Sequence, residues 1–308
     1  MTHPPAVRLS GLTKRYGDRA AVESLTIDVP TGVVAGFVGP NGSGKTTTMA
    51  MLLGLVTPSE GTGTVLGEPL DHPASYLQEV GALIEGPAFY PGLTGAQNLA
   101  VLATVAGHDP AAIPDLLDLV ELGERADDRF RDYSFGMKQR LGIAAALIGD
   151  PKLLILDEPL NGLDPAGVHE MRGLIGRLAD GERTVLISSH LLSELEQVCD
   201  WLIVIDSGRL VFQGPASELL DGSGESLVVA PEHPDDLERL RDLLTAAGHE
   251  SRTGDDRLVI AVGESNPRGL AAALNRAAAG GGIVLAELRT THTSLEDRYL
   301  TMMNGENR

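Results

Sequence analysis

The first residues with chemical potential form a glycine-rich loop. They match the pattern G-x-x-x-x-G-K-[ST] and are Gly39, Pro40, Asn41, Gly42, Ser43, Gly44, Lys45 and Thr46, with Thr47 following. Glycines let the backbone wrap so tightly that consecutive N–H groups point at one anion. In such a loop the lysine reaches the terminal phosphates of a nucleotide, and the hydroxyl of the following residue binds Mg²⁺. The loop predicts a site for ATP and Mg²⁺.

Two adjacent carboxylates form a second reactive group. Asp157 and Glu158 follow an apolar run at residues 153–156. A buried strand delivers such residues to the sheet edge where ligands bind in open α/β folds. We expect Asp157 to hold Mg²⁺, directly or through water, and Glu158 to polarise the attacking water. Taken alone, the pair is as often an ordinary turn; the phosphate loop favours catalysis.

The positions of these groups require a strand before the loop and a helix after it. Apolar, β-branched runs predict strands at residues 7–12, 25–29, 33–38, 152–156 and 184–188. Helices are predicted over residues 45–55, 95–106, 113–122, 136–148 and 165–178. Alternating strands and helices predict an α/β domain with a largely parallel sheet.

The character of the sequence changes after residue 220. Residues 221–224 are rich in Gly and Ser, which predicts a linker. Beyond it we predict strand, helix, strand, strand, helix and strand over residues 226–230, 234–247, 250–253, 257–262, 267–279 and 283–288. This β-α-β-β-α-β order predicts a small ferredoxin-like α+β domain over residues 221–308, with a last helix at residues 294–303.

The stretch between the two nucleotide motifs narrows the choice. The residues at 133–140, YSFGMKQR, resemble the signature of ABC transporter ATP-binding proteins, usually written L-S-G-G-Q. Phe135 stands where the family has its first Gly, and Met137 where it has Gln. The resemblance covers residues 6 to 215 and implies a P-loop NTPase cassette with β-rich and helical subdomains. It implies that Ser134 and Gly136 contact the γ-phosphate of ATP held by the opposite subunit of a homodimer; the role of Gln139 stays open.

Other family elements follow in order. Residues 161–164 resemble the loop that crosses the dimer interface, and His190 resembles the histidine that contacts the γ-phosphate and orients the water. Read alone, His190 would more often be a surface or capping residue. Tyr16 resembles the aromatic residue that stacks on adenine; core packing is the alternative.

Glu85 departs from the family, which usually has Gln at this position. A carboxylate can ligate Mg²⁺, but it adds negative charge beside ATP. The alternative is a neutral exchange between isosteres. Residues 90–99 resemble exporters that confer resistance to bacitracin and lantibiotics, and residues 293–300 resemble the tail of drug-exporter cassettes.

Composition limits the partners. The 308 residues carry a net charge of −19, which argues against a nucleic-acid surface. No apolar stretch approaches the roughly 20 residues that span a bilayer, and the N-terminus lacks a signal peptide. The single cysteine, Cys199, predicts a packing residue in a reducing compartment. If the protein works at a membrane, another chain must supply the spans. The resemblance to ABC exporters implies a separate transmembrane permease, with this chain peripheral on the cytoplasmic face of the cell membrane and export of a drug, antibiotic or lipid-like compound.

Two alternatives stay open. A soluble ABC ATPase that acts on DNA, ribosomes or cofactor assembly is the competing class, but the chain has neither a coiled-coil insertion nor a second cassette. The C-terminal domain either regulates the ATPase and supports the dimer, or only steadies the cassette.

Overall fold

The computed structural model describes residues 4–86, 88–179, 183–220, 225–254, 256–262 and 266–292. The chain divides into two units, Met1–Ala216 and Ser217–Arg308. The boundary expected after residue 220 lies at the end of a short helix, Ala216–Leu220, that begins at this division. None of the helices in the described ranges has the length and apolar character needed to cross a bilayer.

Ten strands and seven α-helices lie in the described ranges up to residue 220. The strands are β1 (Val7–Tyr16), β2 (Arg19–Val29), β3 (Val34–Val38), β4 (Glu60–Val65), β5 (Glu68–Pro69), β6 (Val80–Leu83), β7 (Leu153–Leu156), β8 (Thr184–Ser189), β9 (Trp201–Asp206) and β10 (Arg209–Pro215). The helices are α1 (Lys45–Leu52), α2 (Gly95–Ala106), α3 (Ile113–Leu119), α4 (Phe135–Ala146), α5 (Pro165–Leu178), α6 (Leu192–Leu195) and α7 (Ala216–Leu220).

The central sheet has the strand order β10-β9-β3-β8-β7-β6. Its strands are parallel except for β10, which pairs antiparallel with β9. Every residue of β3, β7 and β8 is buried, because a parallel sheet is covered on both faces. In the register, Val38 lies beside Ser189 and Leu83 beside Leu156. The residues that follow these strands therefore emerge at one edge of the sheet.

The second sheet is antiparallel and has the order β2-β1-β4-β5. β1 and β2 are longer than predicted, since their hydrogen-bonded ladder continues through polar residues to the pair Tyr16 and Arg19. β1 also pairs with β4 on its other edge. Polar side chains on one face hid this continuation from the apolar pattern. Gly17, at φ 59°, makes the turn of the hairpin.

One hydrophobic core joins the two sheets and α1. Met49 and Leu52 of α1 are fully buried and pack with Phe37, Ile155 and other apolar residues of both sheets. Cys199 is buried as predicted, and this burial raises the pKa of its thiol. The thiol is therefore a packing group at neutral pH.

Three helices differ from the prediction at their ends. α1 ends at Leu52 rather than residue 55, because Gly54 turns to φ 67°. α3 ends at Leu119, before Glu121 at φ 60°. α4 begins at Phe135, where the Ser134 hydroxyl caps it by accepting a hydrogen bond from the backbone N–H of Met137.

After α7, the described part of the second unit contains four strands and two α-helices. They are β11 (Glu225–Pro231), α8 (Leu237–Ala246), β12 (Arg252–Gly254), β13 (Arg257–Ala261), α9 (Pro267–Gly280) and β14 (Leu285–His292). The antiparallel sheet has the order β12-β13-β11-β14, which is the ferredoxin-like arrangement of β-α-β-β-α-β. α8 and α9 bury Leu240, Leu244 and Leu274 in a core of their own with Leu227 and Val229. The helix expected at residues 294–303 lies outside the described residues.

Candidate functional site

The phosphate loop connects β3 to α1. The backbone N–H of Gly39 donates to the Ser189 carbonyl at 3.3 Å, which ties the loop to the end of β8. The Lys45 side chain is 5% exposed, and its Nζ donates to the carbonyl oxygens of Gly39 at 2.7 Å and Pro40 at 3.3 Å. The ammonium group is thus held inside the loop. Pro40, Asn41 and Gly42 are exposed at its tip, and Thr46 and Thr47 lie in the first turn of α1.

The loop fits a phosphate group. A Cβ at Gly39 would lie 2.2 Å from the Ile205 carbonyl oxygen, and one at Gly44 would lie 2.5 Å from that of Ala21. Gly44 also has φ 105°, so only glycine satisfies this position. The buried Ser43 hydroxyl has no hydrogen-bond partner in the described part of the chain. Polar groups left in this state are expected where a ligand completes the loop.

Thr46 and Asp157 meet across the sheet edge. The Thr46 hydroxyl donates to Oδ2 of Asp157 at 2.8 Å, and the Ser188 hydroxyl donates to Oδ1 at 2.5 Å. Thr46 and Asp157 thus offer the hydroxyl and carboxylate oxygens that Mg²⁺ prefers. In the described residues, no group of three or more His, Cys, Asp or Glu side chains is placed so that it could hold a metal ion. A site of this kind is completed by phosphates and water rather than by protein alone.

Glu158 lies between two nitrogen groups. Its Oε1 is 3.3 Å from Nζ of Lys45, and its Oε2 is 2.9 Å from Nδ1 of His190. The Glu158 side chain is 21% exposed and that of His190 is 29% exposed, so both are reachable by water at the edge of the site. Glu158 adopts φ 49°, and its carboxylate has different partners from that of Asp157. The arrangement can orient a water molecule and accept its proton.

Ser188 belongs to the same segment as His190, but the motif analysis gave it no role. Besides donating to Asp157, its Oγ accepts the backbone N–H of Glu158 at 2.8 Å. The hydroxyl is buried at the end of β8. Its signal in the sequence is a pair of serines that ends an apolar run, immediately before His190.

Ser134 and Gly136 occupy a different part of the first unit. They lie at the N-terminal end of α4, and no hydrogen bond among the described residues joins them to the Lys45 loop. Before them, the Tyr133 hydroxyl donates to the Arg125 carbonyl at 2.8 Å, and burial raises the pKa of Tyr133. Gln139 is 6% exposed, inside the helix, so it does not line this end of α4.

Two predicted residues stand at the periphery. Tyr16 is 54% exposed, with Nζ of Lys14 at 5.1 Å from its ring centroid. Its hairpin reaches the phosphate loop through Ala21, which lies against Gly44. Glu85 is exposed at φ 59° just beyond β6, the strand beside β7. Within the described ranges its carboxylate has no hydrogen bond or ion pair.

Known proteins resemble this chain along nearly its whole length. A model of the ABC transporter family matches residues 22–161. The bacitracin transport ATP-binding protein BcrA of Bacillus licheniformis is 36% identical over an alignment of 313 positions, which covers 97% of this chain and 97% of the relative. The Nod factor export ATP-binding protein I of Cupriavidus metallidurans is 37% identical over an alignment of 309 positions, which covers 98% of each.

A solved structure agrees with the sequence relatives. The ATP-binding subunit of an ABC transporter has a TM-score of 0.62 and 29% identity, covering 70% of this chain and 92% of its own. The cassette fold predicted from the sequence is confirmed. From the phosphate loop, the carboxylates at the sheet edge and these relatives, it follows that the chain belongs to the ABC transporter family, as an ATP-binding subunit with ATPase activity.

Proposed function

We propose that this chain binds MgATP between two copies of itself, hydrolyses it, and thereby powers export by a separate membrane permease. The observation that carries the proposal is the meeting of Lys45, Thr46, Asp157, Glu158 and His190 at one sheet edge, with the distances given above. Groups from three separate segments converge there, at the start of α1 and after β7 and β8. Phosphoryl transfer depends almost entirely on such positioning and on electrostatic stabilisation.

Each side chain has a distinct role in hydrolysis. Lys45 and the loop N–H groups bind the β- and γ-phosphates, while Thr46 and Asp157 hold Mg²⁺, with Glu85 beside them. Bound Mg²⁺ neutralises charge on the phosphate oxygens. Glu158 positions the attacking water and takes up its proton. His190 orients Glu158 through the Nδ1 contact and reaches toward the γ-phosphate, and Tyr16 stacks on adenine.

The second copy completes the site. Ser134 places a hydroxyl, and Gly136 a backbone N–H, at the start of α4, where the helix dipole favours an anion. Among the described residues, no hydrogen bond joins these groups to the Lys45 loop of their own chain. A head-to-tail homodimer would bring them to the γ-phosphate that the other subunit holds. Each of the two sites then needs both subunits.

The permease is the second partner that we propose. Val101, Leu102 and Val105 of α2 are exposed by 38%, 38% and 83%, and their spacing places them on one side of the helix. Tyr90, in the turn before α2, is 63% exposed. The buried side chain of Asn98 holds its backbone in place by hydrogen bonds to the Tyr90 N–H and to the Tyr90 carbonyl. Apolar side chains presented this way favour a protein partner.

Export at the cytoplasmic face of the membrane follows from the same proposal. The printed names of the two relatives refer to bacitracin transport and Nod factor export. These compounds support a drug, antibiotic or lipid-like compound as the cargo here.

The change Glu158→Gln tests the catalytic proposal. It keeps the shape of the side chain and removes its basicity, so turnover should fall by at least about 100-fold, the smaller end of what general-base catalysis contributes. ATP binding should persist. Because bound ATP is no longer hydrolysed, dimers should accumulate in the presence of ATP, and light scattering measures the increase in molecular mass. Glu60→Gln, at an exposed position in β4, is the matched control and should behave as wild type. Wild-type turnover in Glu158→Gln would refute the assignment.

A further inference from the structure

The ring of Phe135 lies over the backbone of Gly162. A Cβ placed on Gly162 would be 3.2 Å from Cε1 of Phe135 and 3.4 Å from its Cζ. Gly162 itself has φ 79°, a conformation that L side chains rarely adopt. The ring is 52% exposed, so one side rests on Gly162 while much of the other remains open.

A second contact joins the same two segments. A Cβ on Gly136 would lie 3.4 Å from Cδ2 of Leu163. A cavity of about 480 Å³ lies along the same two segments and is lined by Phe135 and Gly162 as well as by Arg140 and Glu170. Arg140 of α4 also forms an ion pair with Glu170 of α5. Phe135 is the larger of the two side chains that make the contacts with residues 136 and 162.

The loop under the ring begins at the catalytic carboxylate. The Asn161 N–H donates to the Glu158 carbonyl at 3.1 Å, and the Leu163 N–H donates to the Leu160 carbonyl at 3.4 Å. Asp164 then caps α5 by accepting the Gly167 N–H at 2.8 Å. These short-range bonds make residues 158–164 a compact connection. A displacement of Glu158 would consequently be passed to Gly162 and to the ring above it.

We propose that Phe135 is a positioning residue that couples the two ATP sites of the dimer. It ties the Ser134–Gly136 end of α4, which completes the partner's site, to the loop that leaves the chain's own Glu158. This inference rests on the proposed head-to-tail dimer. Its new content concerns the side chain that stands in place of the family's glycine. This side chain links groups of the chain's own ATP site to groups that complete the partner's ATP site.

Phe135→Gly in the full chain tests the link. ATPase activity is measured against ATP concentration, and the Hill coefficient is compared with that of wild type. Phe135→Gly should bring the coefficient close to one and lower kcat several-fold, while ATP binding to the monomer, measured with a fluorescent ATP analogue, stays within about twofold of wild type because Lys45 and its loop are untouched. Phe135→Met reaches the same distance without a ring and should keep most of the cooperativity.

The Hill coefficient separates coupling from folding. A partly unfolded preparation lowers kcat but leaves the coefficient of the remaining active protein unchanged. A wild-type coefficient of one, or an unchanged coefficient in Phe135→Gly, would overturn the proposal. So would an equal loss of cooperativity in Phe135→Met.

The background Glu158→Gln separates this inference from the proposed function. If Glu158→Gln alone fails to form ATP-dependent dimers, the head-to-tail dimer is wrong and the inference falls with it. If it forms dimers while Phe135→Gly retains wild-type cooperativity in the active enzyme, only the role of Phe135 is wrong.

Discussion

A single serine hydroxyl allows two neighbouring carboxylates to have different tasks. The Ser188 hydroxyl has one O–H, which it donates to Asp157, and its oxygen accepts the backbone N–H of Glu158. Asp157 is thereby fixed toward Thr46, whereas Glu158, at φ 49°, turns toward Lys45 and His190. Because the two carboxylates have different hydrogen-bond and ion-pair partners, the charges around one differ from the charges around the other. The division suits one to hold a metal ion and the other to act on water.

The residues of this site were predictable to different degrees. Lys45, Thr46, Asp157 and Glu158 belong to short patterns whose chemistry is local, so the sequence alone identified them as candidates. The hydrogen bonds of Ser188 join residues about 30 positions apart and depend on the pairing of β7 with β8. No local pattern encodes that register. The same holds for Phe135 and Gly162, which only the folded chain brings together.

Glu85→Gln tests whether this position contributes to the metal site. The glutamate has φ 59° and no hydrogen bond or ion pair within the described ranges, and glutamine is its isostere, so the exchange changes charge more than shape. If the carboxylate helps to hold Mg²⁺, the Mg²⁺ concentration for half-maximal ATPase activity should rise by about tenfold, the lower end of the effect of losing supporting groups around a metal.

The measurement is a Mg²⁺ titration at fixed ATP, with Glu60→Gln as the control for loss of an exposed carboxylate. An unchanged Mg²⁺ requirement and unchanged activity with the permease would favour the neutral-exchange interpretation of Glu85.

Among the elements, α2 and the turn before it are held together by hydrogen bonds and form one ordered surface. The Thr94 hydroxyl accepts the Gln97 N–H, and the Gln97 side-chain oxygen accepts the Thr94 N–H, so both hydrogen bonds of a capping box are present. Asn98 is 1% exposed, and its Nδ2 donates to the carbonyls of Tyr90, Leu93 and Thr94. The turn is therefore held to the helix, and the backbone of the exposed Tyr90 is fixed in position.

Element boundaries were harder to predict than element types. α2 was predicted at its observed residues because a capping box and Gly107 mark its ends. α1 and α3 end early because the backbone enters the left-handed region at Gly54 and Glu121. For glycine that change is common, but nothing in the local sequence predicts it for Glu121. Its carboxylate is held by Arg140 and Arg177, which lie far along the chain.

Val105→Glu tests the proposed permease contact on α2. The side chain is 83% exposed, and Glu is a good helix former, so folding and basal ATPase activity should not change. A charge placed in an apolar interface should weaken association by roughly tenfold or more. The amount of a co-purifying membrane-spanning subunit, and the stimulation of ATPase activity by that subunit, are the two measurements.

Val284→Glu is the matched control, since Val284 is 64% exposed in the second unit. Equal retention of the membrane subunit by both variants would exclude α2 as the contact. Full ATPase activity in wild type without any membrane-spanning partner would instead favour the soluble ABC ATPase.

At the scale of the whole molecule, the two units have separate cores. The first core joins both sheets of the cassette, and the second is built from α8, α9 and their own sheet. The order β-α-β-β-α-β of the second unit follows from short alternating runs that the sequence shows clearly. Such runs predict a fold and not a function, and in the described part of this unit no group of His, Cys, Asp or Glu could hold a metal ion. Regulation or dimer support remains our proposal for this unit.

Separate cores predict separate unfolding transitions, which calorimetry of the full chain can detect. Leu240→Ala removes a fully buried side chain from the second core and should destabilise that unit by about 2–5 kcal/mol, lowering its transition by roughly 10 °C or more. Leu52→Ala makes the same change in the first core and should lower the other transition.

MgATP identifies which transition belongs to the cassette, since ligand at about 100 times its Kd stabilises the binding unit by about 2.7 kcal/mol. It should raise only the transition that Leu52→Ala lowers. One transition that responds to both substitutions and to MgATP would show instead that the two units unfold together, and that the second stabilises the cassette directly.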